Sequence, residues 1–253
     1  MTQSSRRLLW SGCSNVRDLG GYATTGGGVT RTGSLIRSDN LARLSAEGQD
    51  AVREGGVSAI IDVRSPFELD LEANPFARSS TVGGPVYQNL PLMDEADAEG
   101  VALVNAAPTV TEAYRHMLDC FQHNIGLIMV GIADAPPDAV VIHCHAGKDR
   151  TGLVVVLALR LAGVSEGLVA EDYALSDTCL SALYQEMLDK KADPVERAQL
   201  AEQLSSKPEA MLGALSHLDE RYGGVELYLS GCGLDAETMK RLRSRLLEPT
   251  AAT

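Results

Sequence analysis

The chain has 253 residues, 45% of them hydrophobic and 22% charged, which is enough for a sizeable core and ordinary for a globular protein. Its 34 acidic against 22 basic residues leave a formal charge of −12, disfavouring nucleic acid or an anionic membrane as partner but allowing a small positive pocket. The five cysteines, Cys13, Cys120, Cys144, Cys179 and Cys232, are odd in number, widely spaced and without a CxxC pair, which argues against a disulfide framework or a cysteine zinc site.

From the N-terminus, Arg6-Arg7 precedes only Leu8-Leu9-Trp10, too short for the apolar region of a signal peptide. The glycine-rich stretch around residues 15–28 reads as turns leading to a strand over 29–37. Residues 44–54 have helical spacing, stopped by Gly55-Gly56, and 57–63 is a β-branched apolar run suited to a buried parallel strand. Residues 86–90 read as another strand, ending at Pro91 and the acidic loop of residues 94–99. A long helix is expected over 111–133, closed by Pro136-Pro137, then a buried strand over 139–143, a glycine-containing loop, and an apolar core helix over 151–162.

From residue 165 onwards the pattern is helical, with breaks at Asp193-Pro194, Lys207-Pro208 and Gly223-Gly224. Strands interleaved with helices predict an α/β fold with a central, mostly parallel sheet flanked by helices and a helical C-terminal portion. One domain is expected over residues 1–253, with a catalytic core to about 176 and a helical extension over about 177–248 able to act as a lid. The longest apolar runs, 125–133 and 153–159, are too short to span a bilayer. No integral membrane segment is expected, and the default compartment is the cytoplasm, with export lacking a signal peptide left open.

The chemistry concentrates in His143-Cys-His-Ala-Gly-Lys-Asp-Arg-Thr-Gly152. Among the five cysteines, only Cys144 has an arginine six residues on. A short loop between a buried strand and a helix can turn successive N–H groups inward around an oxyanion, and the helix start adds free N–H groups and a positive dipole end. The expected cradle comprises His145, Ala146, Gly147, Lys148 and Asp149, with Gly147 supplying backbone freedom. The same field favours a thiolate at Cys144. Arg150 offers a planar fork for two phosphoryl oxygens, and the Thr151 hydroxyl can donate to the departing sulfur.

This segment resembles the signature loop of the protein tyrosine phosphatase superfamily, and its Ala-Gly-Lys-Asp interior is typical of a bacterial branch that includes mycobacterial members. Asn15-Val-Arg-Asp-Leu-Gly-Gly21, Ile36-Arg-Ser38, Asp62-Val-Arg-Ser65, Leu90-Pro-Leu-Met-Asp94, Asp172-Tyr173 and Tyr222-Gly223 match in family order. The resemblance implies a cysteine-dependent phosphatase that needs no metal or cofactor and works through a Cys144 phosphocysteine. It implies phosphorylated protein as substrate, phosphotyrosine first, with phosphate or vanadate as site ligands. It also places the general acid at Asp94 on an upstream loop, with Glu95, Asp97 and Asp149 as competitors. Because Ala-Gly-Lys also resembles phosphoinositide phosphatases, a phosphoinositide headgroup or dual specificity is the alternative. His143 is read as an oriented core histidine, the Arg17/Asp18 and Asp62/Arg64 pairs as fold braces, and Asp172-Tyr173 as support behind the loop. A phosphate-binding module without turnover and a rhodanese-type sulfurtransferase are the competing classes.

Overall fold

The computed structural model describes residues 6–77 and 84–249. Five strands form one sheet, β1 (Arg17–Asp18), β2 (Leu35–Ser38), β3 (Val57–Asp62), β4 (Val86–Asn89) and β5 (Ala139–His143), in the order β1-β2-β5-β3-β4. All neighbours are parallel except β1 against β2. β5 is central and wholly buried, and its period-two alternation serves two cores. Val140 and Ile142 face one apolar cluster, Ala139 and Val141 the other.

The helices are α1 (Ala46–Glu54), α2 (Pro66–Leu71), α3 (Ala98–Ala106), α4 (Val110–Cys120), α5 (Gln122–Asp134), α6 (Asp149–Leu161), α7 (Glu166–Asp189), α8 (Pro194–Leu204), α9 (Pro208–Tyr222), α10 (Val225–Gly231) and α11 (Ala236–Leu246). α6 follows β5 through the glycine-containing loop and is buried along nearly its whole length, packing against α5, α7, α10 and α11. The larger core runs from the sheet through α5 and α6 to Met211, Leu215, Leu218, Tyr228 and Leu242 of the C-terminal helices, so sheet and tail share one apolar interior.

Several expected boundaries shift. The strand expected over 29–37 is the shorter β2, since residues 29–34 form two isolated bridges, turns and backbone bonds to Leu246 and Tyr22. The helix expected over 111–133 is two helices broken at Phe121, whose backbone leaves the helical region while its ring is buried. The break follows tertiary packing, since no glycine or proline marks it. The acidic loop turns into α3, capped by Asp97 accepting from the Gly100 N–H at 2.9 Å. The C-terminal prolines begin helices: Pro194 and Pro208 occupy first turns, where a missing N–H costs nothing.

Candidate active site

The loop after β5 is held from outside by its carbonyls. The Cys144 oxygen accepts from His143 Nδ1 at 3.1 Å, so that nitrogen carries a proton. The His145 oxygen accepts from the Asn40 N–H at 2.9 Å, and Asn15 Nδ2 donates to the Ala146 and Gly147 oxygens at 3.0 and 3.2 Å. Arg37 Nη2 donates to the Gly147 oxygen at 2.6 Å and lies 3.4 Å from that of Lys148, which also accepts from the Gly152 N–H at 2.9 Å. Each trans peptide plane sets its N–H opposite its C=O. Carbonyls drawn outward from Cys144 to Lys148 therefore turn the N–H groups of His145 to Asp149 toward the loop interior, where a nest for an oxyanion forms.

Gly147 is required twice over. Its φ is +65°, and a Cβ there would lie 2.3 Å from the Ser38 carbonyl oxygen. The loop sits that close to β2 because Asn15 and Arg37 pull it there. Asp172 on α7 orients both donors: Arg37 Nη1 is 2.5 Å from its Oδ2, Arg17 Nε is 3.3 Å from its Oδ1, and Arg17 Nη1 donates to Asn15 Oδ1. Tyr22 Oη also donates to Asp172 Oδ1 at 2.9 Å. Burial pushes the Asp172 carboxyl up, but the two guanidinium groups outweigh it and hold it well below the usual carboxylate range. Arg17 thus pairs with Asp172, whereas Asp18 accepts from the Gly20 and Gly33 N–H groups at 2.7 Å each.

On the other side His143 Nε2 lies 3.0 Å from Asn74 Nδ2 and 3.2 Å from Asp62 Oδ2, and Asp62 pairs with Arg64 at 2.7 Å. Asp62 is also held low, its burial outweighed by the charges and hydrogen bonds of His143 and Arg64.

Cys144 lies at the end of β5, 2% exposed. Arg150, in the first turn of α6, is gripped edge-on by Glu68: Nη2 donates to Oε1 at 2.8 Å and Nη1 donates to Oε2. Burial raises the Glu68 carboxyl, yet the Arg150 bonds and charge bring it below its ordinary value. Glu68 is itself placed by a capping box with Ser65 at the start of α2. The Thr151 Oγ1 is buried and, among the described residues, has no hydrogen-bond partner.

His145 is half exposed beside Arg43, whose Nη2 is 3.1 Å from its Nε2, and burial followed by the Arg43 charge lowers its pKa. Asp149 Oδ1 accepts from Tyr114 Oη at 2.6 Å, and Tyr114 meets Tyr173 at 2.7 Å. Asp94 is exposed, its Oδ1 accepting from the Ala96 N–H at 2.9 Å.

Lys148 is 2% exposed and aims its ammonium away from the loop interior, donating to the carbonyls of Gln203, Leu204 and Ser205 at 2.8, 3.2 and 3.2 Å. It thereby caps the C-terminal end of α8, with Asp149 Oδ1 3.4 Å away. Glu68, Tyr114 and this use of Lys148 escape sequence reading. Only Glu68 leaves a local signal, the Ser65-x-x-Glu68 capping box.

This arrangement is a cysteine-containing strand-to-helix loop with its N–H groups turned inward on an α/β scaffold. A family model described as the tyrosine phosphatase family matches residues 8–248, and the chain belongs to that family. It is 29% identical over 220 residues to a tyrosine-protein phosphatase of Nostoc commune, covering 84% of this chain and 74% of that protein. It is 28% identical over 274 aligned positions to the triple specificity protein phosphatase PtpB of Mycobacterium tuberculosis, covering 93% and 97%. The chain is a tyrosine phosphatase, an enzyme that hydrolyses phosphate monoesters. No helix among the described residues is long and apolar enough to cross a membrane.

Proposed function

We propose that Cys144 is the nucleophile, Arg150 the phosphoryl clamp, and protein phosphotyrosine the preferred substrate. The observation that carries this reading is the run of outward-held carbonyls, which turns the N–H groups of residues 145–149 toward the interior of the loop that begins at Cys144. The thiolate attacks phosphorus in line, an S–P bond forms, and the P–O ester bond breaks as the acid protonates the leaving oxygen. Charge gathering on the equatorial oxygens meets the loop N–H groups and the Arg150 fork, already oriented by Glu68. Water then breaks the S–P bond and releases phosphate, and the spare Thr151 hydroxyl donates to the departing sulfur. Lys148 and Asp149 contribute their backbone to the cradle, and phosphate or vanadate would occupy it.

Cys144→Ser and Arg150→Ala should each cut turnover of an aryl phosphate by at least about a hundredfold. A Cys144→Ser protein that kept substantial turnover would refute the assignment. Asp94 is the proposed acid, exposed on the loop that precedes α3. Asp149 is the second reading, on its place in the loop next to Arg150. Asp94→Ala should slow poor leaving groups more than good ones, and an equal loss on both moves the role to Asp149.

We further propose that the chain is one domain in which part of the segment 177–248 covers the loop. The shared apolar interior and the Lys148 bonds to the end of α8 support this. Tyr184 on α7 adds to it: burial, Asp149, Asp177, Tyr173 and the Cys144 sulfur all push its hydroxyl pKa upward. Proteolysis within α8 that left activity unchanged would count against the cover. The cytoplasm is the compartment proposed, since all five cysteines are free thiols.

A further inference from the structure

Helix α2, like α8, contributes no buried residue, but it carries exposed apolar side chains right beside Arg150's partner Glu68. None of its six residues is fully buried, and several polar bonds fasten it. Glu68 grips Arg150, the Glu72 carboxylate accepts from Asn40 Nδ2, and Arg64 Nη1 donates to the Glu72 carbonyl at 2.9 Å. With these anchors on the catalytic side, two of its three large apolar residues face solvent, Phe67 at 62% and Leu71 at 68% exposed, while Leu69 is half-buried. The other two phenylalanines of the chain, Phe76 and Phe121, are each 1% exposed. Phe67 and Leu71 are four residues apart, so at ~100° per residue they lie about 40° apart on one stripe. Glu68 lies only about 60° to 100° round the helix from them by the same geometry. The apolar stripe therefore borders the side of α2 from which Glu68 reaches Arg150.

We propose that Phe67 and Leu71 form a docking step for apolar residues flanking the phosphotyrosine of a polypeptide substrate. The proposal rests on reading the Cys144 loop as a phosphotyrosine site, and it names what lies beside it. A polypeptide fits better than a membrane because α2 presents Glu68, Asp70 and Glu72 within one turn of the stripe, on a chain of charge −12. An anionic bilayer would be repelled, whereas an extended peptide can lay an apolar side chain on the stripe while its phosphate enters the loop. A fixed helix also offers this surface without an ordering cost on the enzyme side.

The test compares wild type with Phe67→Ala, Leu71→Ala and the double variant. Substrates are p-nitrophenyl phosphate, a phosphotyrosine peptide with leucine and phenylalanine flanks, the same peptide with serine flanks, and phosphatidylinositol phosphate in phosphatidylcholine vesicles. The double variant should lose about tenfold in kcat/KM on the apolar-flanked peptide, carried by KM, and nothing on p-nitrophenyl phosphate or the serine-flanked peptide. Equal kcat/KM of all four proteins on both peptides would overturn the proposal. A loss confined to the vesicles would overturn it in favour of a lipid surface. A dimer in sedimentation that the double variant abolishes, with peptide kinetics unchanged, would overturn it in favour of self-association. If wild type fails to turn over p-nitrophenyl phosphate, the phosphatase site itself fails, and that outcome is separate from loss of peptide discrimination alone.

Discussion

Behind the catalytic loop, Asn15, Arg17, Arg37 and Asp172 are at most 2% exposed and interlocked, whereas α8 in front contributes no buried residue. The rear network fixes each loop carbonyl, because N–H groups that stabilise a transition state must already point at it. The end of α8 is tied to the loop by one ammonium on three carbonyls, and if this segment is the cover proposed above, so small a contact would let substrate through. The difference teaches that one loop can have its rear carbonyls fixed by a buried network while its contact with α8 rests on a single side chain.

The sharpest way to break that contrast is to remove charge from the rear. Asp172→Asn leaves two buried arginines facing each other, and it should cost about 3–5 kcal/mol in urea unfolding. It should also lower aryl-phosphate kcat, since Arg37 loses its orientation. Next in size, Gly147→Ala forces a Cβ against the Ser38 oxygen at a φ of +65°. It should cost about 1–3 kcal/mol in the same assay and reduce kcat by a larger factor than KM.

Acid tests the same network without mutation. Asp62 and Asp172 both have folded pKa values below their ordinary 3.8, so the unfolded chain binds protons first as pH falls. Their stabilisation should be full above that value and drain away below it, through the lowered folded values. The urea midpoint should then hold from neutral pH to about 5 and drop below about 4, and Asp172→Asn should flatten the drop. The smallest effect is expected in front. Lys148→Met should change global stability by under about 1 kcal/mol yet speed proteolytic cleavage in residues 190–207, and a large fall in the urea midpoint would erase the contrast.

Much of this was legible in the chain. Buried β-branched runs gave β3 and β5 to within a residue or two, because a strand covered on both faces needs apolar side chains at every position. The loop was legible because it is contiguous: Cys144, Gly147, Arg150 and Thr151 need only a strand before them and a helix after. Asp172 could be flagged as a motif match, but its grip on Arg17 and Arg37 could not, since its partners lie 155 and 135 residues away. The split of α4 from α5 at Phe121 was equally hidden, for no local residue signals it. Lys148 shows the limit most clearly, its ammonium engaged by carbonyls more than fifty residues distant rather than held at the loop mouth.

By itself, then, the sequence determined the parallel α/β scaffold and the reaction loop, because both rest on local periodicity and on residues adjacent in the chain. Only the tertiary structure decided how that loop is aimed, which glutamate orients Arg150, where Lys148 spends its charge and which way Phe67 faces. Those outcomes depend on carbonyls and carboxylates brought together from distant segments, and no local spacing records such meetings.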